Sequence, residues 1–222
     1  MRRFAIAVAA CLVLASAVAP VTAAKPATHG FLPANAHPHG YSLLDLATAW
    51  NAWALSAPLA TNPFVLARCE RSPIDPKIWF LPEPYPDGPT AADCRVPQGA
   101  FLVVSPFFIE CSQAEQVPFH GDNEAELRSC VETGFDHLSS VAVTLDGQTA
   151  TDLADDVVTT RLDSLPAGNL LGPATLTMNR GIFMVMTPLS RGTHTLKASW
   201  EIDSWPGLGQ MEAAITITIS VR

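Results

Sequence analysis

The run Cys94–Cys111, CRVPQGAFLVVSPFFIEC, decides how the rest of the sequence is read. Phe101, Leu102, Val103, Val104, Phe107, Phe108 and Ile109 crowd into it, and after Arg95 the polar interruptions are Gln98, Ser105 and Glu110. An apolar run without alternation marks a strand covered on both faces. Gly99 supplies a turn ahead of the run. Pro106 has no N–H for a sheet ladder, so it either splits the run into two strands or places a bulge in it. The cysteines at its ends offer covalent ties to other parts of the chain.

Those ties require an oxidising compartment, and the start of the sequence points to one. Residues 1–24 have a basic start (Arg2, Arg3), an apolar middle (Phe4 to Ala19) and small residues at Val21, Ala23 and Ala24, the three parts of a secretory signal. That middle is too short for a stable span, and no later stretch approaches the roughly 18 to 20 apolar residues a spanning helix needs. Cys11 is followed by Leu12 and Val13, which is not the context of a lipid anchor. The expected product is a secreted or periplasmic protein without an integral membrane segment. Removing the signal takes away two arginines and no acids, leaving 11 basic against 21 acidic side chains, a net charge of −10. So negative a surface repels phosphate, which argues against nucleic acid or anionic lipid as a partner.

Cys69, Cys94, Cys111 and Cys130 remain, and four cysteines allow three pairings. The sequential pairing Cys69–Cys94 and Cys111–Cys130 is preferred, because each bridge closes a short loop beside the buried strand. In the loop-entropy model each contributes about 3 kcal/mol. None of the spacings is of the C-x-x-C kind, which argues against zinc.

Residues 25–40, rich in Pro, Ala, Gly and His, read as a flexible N-terminal arm in which His29, His37 and His39 are solvent-exposed rather than metal-bound. A single domain is expected over 41–222, with helices near 43–57 and 123–137. Ser42 with Asp45 caps the first helix, whose apolar face (Leu43, Leu46, Ala47, Trp50, Trp53, Ala54) makes its two tryptophans core residues rather than a sugar platform. Lys77 to Leu81 is a strand, and PEPYPDGP after it reads as a surface loop with Glu83, Asp87 and Asp93 as solvated charges, not calcium ligands. Asp122 caps the second helix, with Leu127, Cys130, Val131 and Leu138 as its buried stripe. The remainder is β: Val141 to Leu145 with the Asp146-Gly147 turn, an irregular acidic connection from Thr151 to Pro173, then Ala174 to Asn179, Gly181 to Thr187, Thr193 to Ile202 and Glu212 to Val221. The fold expected is mainly β, a disulfide-stabilised β-sandwich with two short amphipathic helices.

WNAWALSAP (Trp50 to Pro58), Cys69, IWFL, the Cys94–Cys111 strand, Glu124-x-x-Leu127-Arg128, VTLDG and PLSRGTHTLKA, in that order, resemble a group of uncharacterised exported bacterial proteins. The likeness covers most of the mature chain, although Ala49 stands where the group usually has a second tryptophan before Trp50. It implies one β-sandwich domain with a tryptophan-bearing helix near its start, and the group has no established activity to carry over. The corner PLSRGTHTL is also similar to the strand-turn-strand of immunoglobulin-like and sugar-binding sandwiches, which speaks of architecture.

No G-x-S-x-G, H-E-x-x-H, G-x-x-x-x-G-K-[ST] or C-x-x-C occurs. The preferred expectation is an exported, non-catalytic binding or interaction protein without a cofactor, whose partner is a small molecule, a glycan or a protein. Tyr85, in the Pro-rich loop, and Trp205, in the Ser-Trp-Pro-Gly corner, are the candidate ligand-binding aromatics. The alternative is a secreted hydrolase or lyase working by carboxylate acid–base chemistry. Glu110, Glu115, His120, Asp136 and His137 lie near the second disulfide, and Glu110 is the candidate catalytic residue because it ends a buried strand where desolvation raises a carboxyl pKa. A third reading takes His29-Gly30 as a mature amino terminus, which with His120 would ligate copper as in oxidative polysaccharide-cleaving sandwiches; Ala24 fits the cleavage rule better than Thr28 does. His194, on the face of Leu196, Ala198 and Trp200, is read as a hydrogen-bonded corner residue.

Overall fold

A computed structural model describes residues 30–222 except Asp152 and Pro206. The signal segment and His29 lie outside the described residues. The Cys94–Cys111 run is divided between two sheets. Ala91–Val96 forms β3, Gly99 takes a left-handed φ of 85° in the connection, and Phe101–Ser112 forms β4. β4 belongs to a sheet ordered β1-β2-β4-β9-β7, in which β1 is Glu70–Arg71, β2 Ile78–Phe80, β7 Val157–Thr159 and β9 Thr175–Met186; β8 (Asp163–Leu165) also pairs with β9. β3 is the edge of the facing sheet, ordered β3-β11-β10-β5-β6, with β5 Leu138–Leu145, β6 Gln148–Thr149, β10 Gly192–Trp205 and β11 Gly209–Val221. The β-sandwich is therefore as expected, with the two sheets joined by a four-residue step.

The first sheet is covered on both faces. Leu102, Val104, Ile182, Met184 and Met186 pack between the sheets against Leu196, Ala198, Ile215, Ile217 and Ile219. Val103, Phe183 and Val185 point the other way, onto helix α1 (Leu43–Ser56), where Trp50 is fully buried. This third layer explains why β4 and β9 lack alternation while β11, whose other face is wet, alternates strictly. α1 starts with a capping box: Asp45 N–H donates to Ser42 Oγ (3.2 Å) and Ser42 N–H donates to Asp45 Oδ2 (3.0 Å). The second helix, α2 (Glu124–Phe135), packs on β9 and β4 and is tied to β4 through Cys111–Cys130. The other bridge is Cys69–Cys94; Cα separations are 6.2 and 5.4 Å.

Several expectations are corrected. Residues 30–40 are docked: Leu32 N–H donates to Val185 O, Phe31 bridges Met186, and Phe31 is buried. Asn123, not Asp122, caps α2 by accepting from Glu126 N–H, and Leu138 lies in β5. Two short strands, β7 and β8, occupy the connection read as irregular. Ala174–Asn179 and Gly181–Thr187 are one strand, because β4 pairs along its whole length from Leu102↔Met186 to Ser112↔Thr177. The register shifts between Val104 and Phe107, so Pro106 marks a bulge. Just past the bulge Gly181 stands opposite Phe108, where a Cβ would fall 2.6 Å from Phe107 O, so the partner strand has no room for a side chain there.

Candidate functional site

The bulge re-aims every later side chain of β4. Before it, even-numbered Leu102 and Val104 face the other sheet; after it, odd-numbered Phe107, Ile109 and Cys111 do, packing with Trp200 and Ile202 of β10. Glu110 is thereby turned to the opposite face, beside Thr177, whose hydroxyl donates to Glu110 Oε1. Without the bulge Glu110 would share the face of Leu102 and Val104 in the apolar interior.

β2 accompanies β4 through Phe101–Val103, and the edge beyond is filled by irregular chain. On one side runs the segment after β2. It was expected at the surface, yet residues 81–84 are buried and Glu83 is 4% exposed. Side chains hold this proline-rich backbone where a ladder cannot: Trp50 Nε1 donates to Leu81 O (3.1 Å), Trp200 Nε1 to Pro84 O (2.9 Å), and Tyr85 hydroxyl to Val65 O (3.0 Å). On the other side the loop after β4 brings in Glu115 and Phe119. Between these walls lies a cavity of about 220 Å³. Phe107, Tyr85, Phe119, Trp200 and Trp205 contribute aromatic wall; Glu83, Glu110 and Glu115 supply the carboxyls; among the described residues no Lys, Arg or His lines it.

Four of the sequence candidates, Glu110, Glu115, Tyr85 and Trp205, thus come together in one cavity. Trp205 does so from within the core and not as an exposed corner: it is 5% exposed, with its ring 5.1 Å from Phe119 and 5.0 Å from His137. Glu83, Phe119 and Trp200 were not singled out from sequence as site residues. Of the remaining acid–base candidates, His120 Nδ1 meets Glu115 O (2.9 Å) and Nε2 meets Asp122 Oδ1 (3.1 Å), while Asp136 ends α2. His120 and His137 line a separate cleft behind Trp205.

The carboxyls are in unusual states. Burial pushes Glu83 well above the usual carboxylate range, against the opposing Ser105 hydroxyl. The Ser105 hydroxyl, which also meets Phe107 O (3.1 Å), is the side chain beside Glu83 that favours its charged form. Glu83 Oε2 has no protein partner. Glu110 is raised well above that range too, first by burial and then by the adjacent Glu115, itself raised by burial. The two share a hydrogen bond, which two carboxyls make only with a proton between them. Glu115 Oε2 is left without a partner. Among the described residues no three His, Cys, Asp or Glu side chains converge as a metal-ligand set.

A second constellation lies at the β9–β10 corner. His194 Nδ1 meets Asp146 Oδ2 at 2.7 Å, and Nε2 is 3.4 Å from Ser190 Oγ, the outline of a Ser-His-Asp triad. The nearer partner of Nε2, however, is the Ser190 carbonyl at 3.0 Å, an acceptor that requires Nε2 to carry a proton. With both ring nitrogens facing acceptors, the geometry favours the protonated ring, and the Asp146 hydrogen bond raises the His194 pKa, opposed by desolvation. A hydrogen-bonded strap, not a general base, ties this corner to the β5–β6 hairpin.

No family model matches the sequence, and no curated protein matches it. Among solved structures the chain is similar to "Solution Structure of Amebosin", at 9% identity over 61% of this chain and 100% of that one, with a TM-score of 0.18, which carries no argument about fold or function.

Proposed function

We propose that this chain is an exported binding protein of the periplasm or cell exterior, and that its ligand, a small molecule or the terminal group of a glycan or protein, is enclosed in the cavity at the free edge of β4. The carrying observation is that two carboxyl oxygens, Glu83 Oε2 and Glu115 Oε2, have no protein partner at a preformed cavity with aromatic walls. Buried polar groups are nearly always paired, and small-molecule sites combine apolar walls with a few such groups. Export rests on the signal-like first 24 residues; the two disulfides are compatible with it, and no helix among the described residues is long and apolar enough to cross a membrane. Met211, on the cavity wall and only half-buried, permits a direct test. Met211→Trp fills the cavity and is expected to abolish the ligand-induced rise in melting temperature found for hits from a fragment screen. A ligand at 100 times its Kd should add about 2.7 kcal/mol to the unmodified protein. Hits that stabilise both proteins equally would place binding elsewhere.

The Glu110–Glu115 proton favours a second reading, a hydrolase or lyase with this pair as acid and base, since a carboxyl pair sharing one proton offers both forms at one pH. Glu110→Gln and Glu115→Gln should then each abolish turnover of a glycoside or ester panel. Unchanged turnover would reject this reading.

A further inference from the structure

We infer that the group this cavity takes is an organic cation, an amine or quaternary ammonium, held between aromatic faces and carboxylates. The inference rests on the binding reading above and adds the chemistry of the ligand. Among the described residues three carboxyls and no basic side chain line the cavity. A neutral apolar ligand would leave Glu83 Oε2 and Glu115 Oε2 unpartnered, and an anion would be repelled by any carboxyl that ionised. A cation answers both the carboxyls and the rings, because Trp, Tyr and Phe attract positive charge at their faces. Tyr85, Phe107, Phe119, Trp200 and Trp205 supply those rings. Among the described residues the carboxyls do not converge into a metal-ligand set, which points away from a bare metal ion.

The empty site is protonated and the filled site is not, so binding is coupled to proton release. Burial holds Glu83 and Glu110 as acids in the free protein, and Glu110 shares its proton with Glu115. A cation stabilises the ionised forms, so the complex binds fewer protons than the free protein, and affinity rises with pH until these groups are ionised without ligand. The other titratable group on the wall is Tyr85, raised by burial, while His120 touches Glu115 through its carbonyl.

Choline and its uncharged isostere 3,3-dimethyl-1-butanol make a matched pair of probes for isothermal titration calorimetry with the intact disulfide-bonded protein. Choline is expected to bind at least about tenfold more tightly than the alcohol. Its apparent enthalpy should differ between phosphate and Tris at one pH, which reads the released proton. Glu83→Gln should lower choline affinity about tenfold while leaving the alcohol's unchanged. If the alcohol binds as tightly as choline, with Met211→Trp blocking both, the cavity is a binding site and the cation inference is overturned. If millimolar choline and alcohol both fail to bind and the fragment screen also yields nothing that Met211→Trp blocks, the binding reading falls with it.

Discussion

A carboxyl held neutral in the fold ionises freely once the chain unfolds. For Glu83, raised above its ordinary 4.5 by burial, the unfolded state loses its proton above about that pH while the folded state keeps it. The folded protein then binds more protons, and stability falls as pH rises from about 4.5 to the folded pKa, by at most about 1.4 kcal/mol per pH unit per group. Glu83→Gln is therefore expected to match the unmodified protein near pH 4 and exceed it near pH 7 in urea unfolding. Parallel profiles would mean that Glu83 is charged in the fold. At this scale the sequence is legible in part. Glu110 stands out because it interrupts an apolar run, and desolvation follows from that. Glu83 stands among prolines that look like loop chemistry, and its burial depends on hydrogen bonds that tie that segment to Trp50, Val65 and Trp200, three distant parts of the chain.

Helix α2 shows how an element's seat can outweigh its propensity. Alanine is favoured over glycine in a helix interior by about 1 kcal/mol. At Gly134 a Cβ would lie 2.7 Å from Ile109 Cγ2 and 2.8 Å from Trp205 Cη2, and overpacking of this kind costs about 1–3 kcal/mol. Gly134→Ala is expected to lower stability by about 1 kcal/mol net and to change the near-ultraviolet circular dichroism of Trp205. A higher melting temperature would show that α2 is not packed so closely on the cavity wall. Elements with strong periodicity or caps are readable from sequence: α1 from Ser42 and Asp45, β11 from its Ile/Thr alternation, the β5–β6 hairpin from Asp146-Gly147. The short β7 and β8 are not, because three residues carry no period; they form because β9 presents an edge to pair with.

At the scale of the molecule, the disulfides staple pieces that other contacts hold weakly: Cys69–Cys94 fixes an edge strand and Cys111–Cys130 a helix with few apolar residues. Reduction is expected to cost about 3 kcal/mol per bridge, read as a lower urea midpoint with dithiothreitol than without. A midpoint unaffected by reductant would mean the sheets alone suffice. The sandwich could be read from the spacing of strands and turns, but the division of Cys94–Cys111 between sheets could not, since β3 gains its neighbour from β11 at the other end of the sequence. That parallel pairing, Ala91–Val96 with Thr216–Val221, also sets a schedule for maturation. In a chain exported as proposed above, β1, β2 and β3 would emerge long before β11, and non-local parallel pairing is slow. In that interval β3 is an orphan strand with an unsatisfied backbone, open to foreign strands, and Cys69 is near enough in sequence to tether it at once. Oxidation would then act as a chaperoning step, protecting an early strand until its late partner appears.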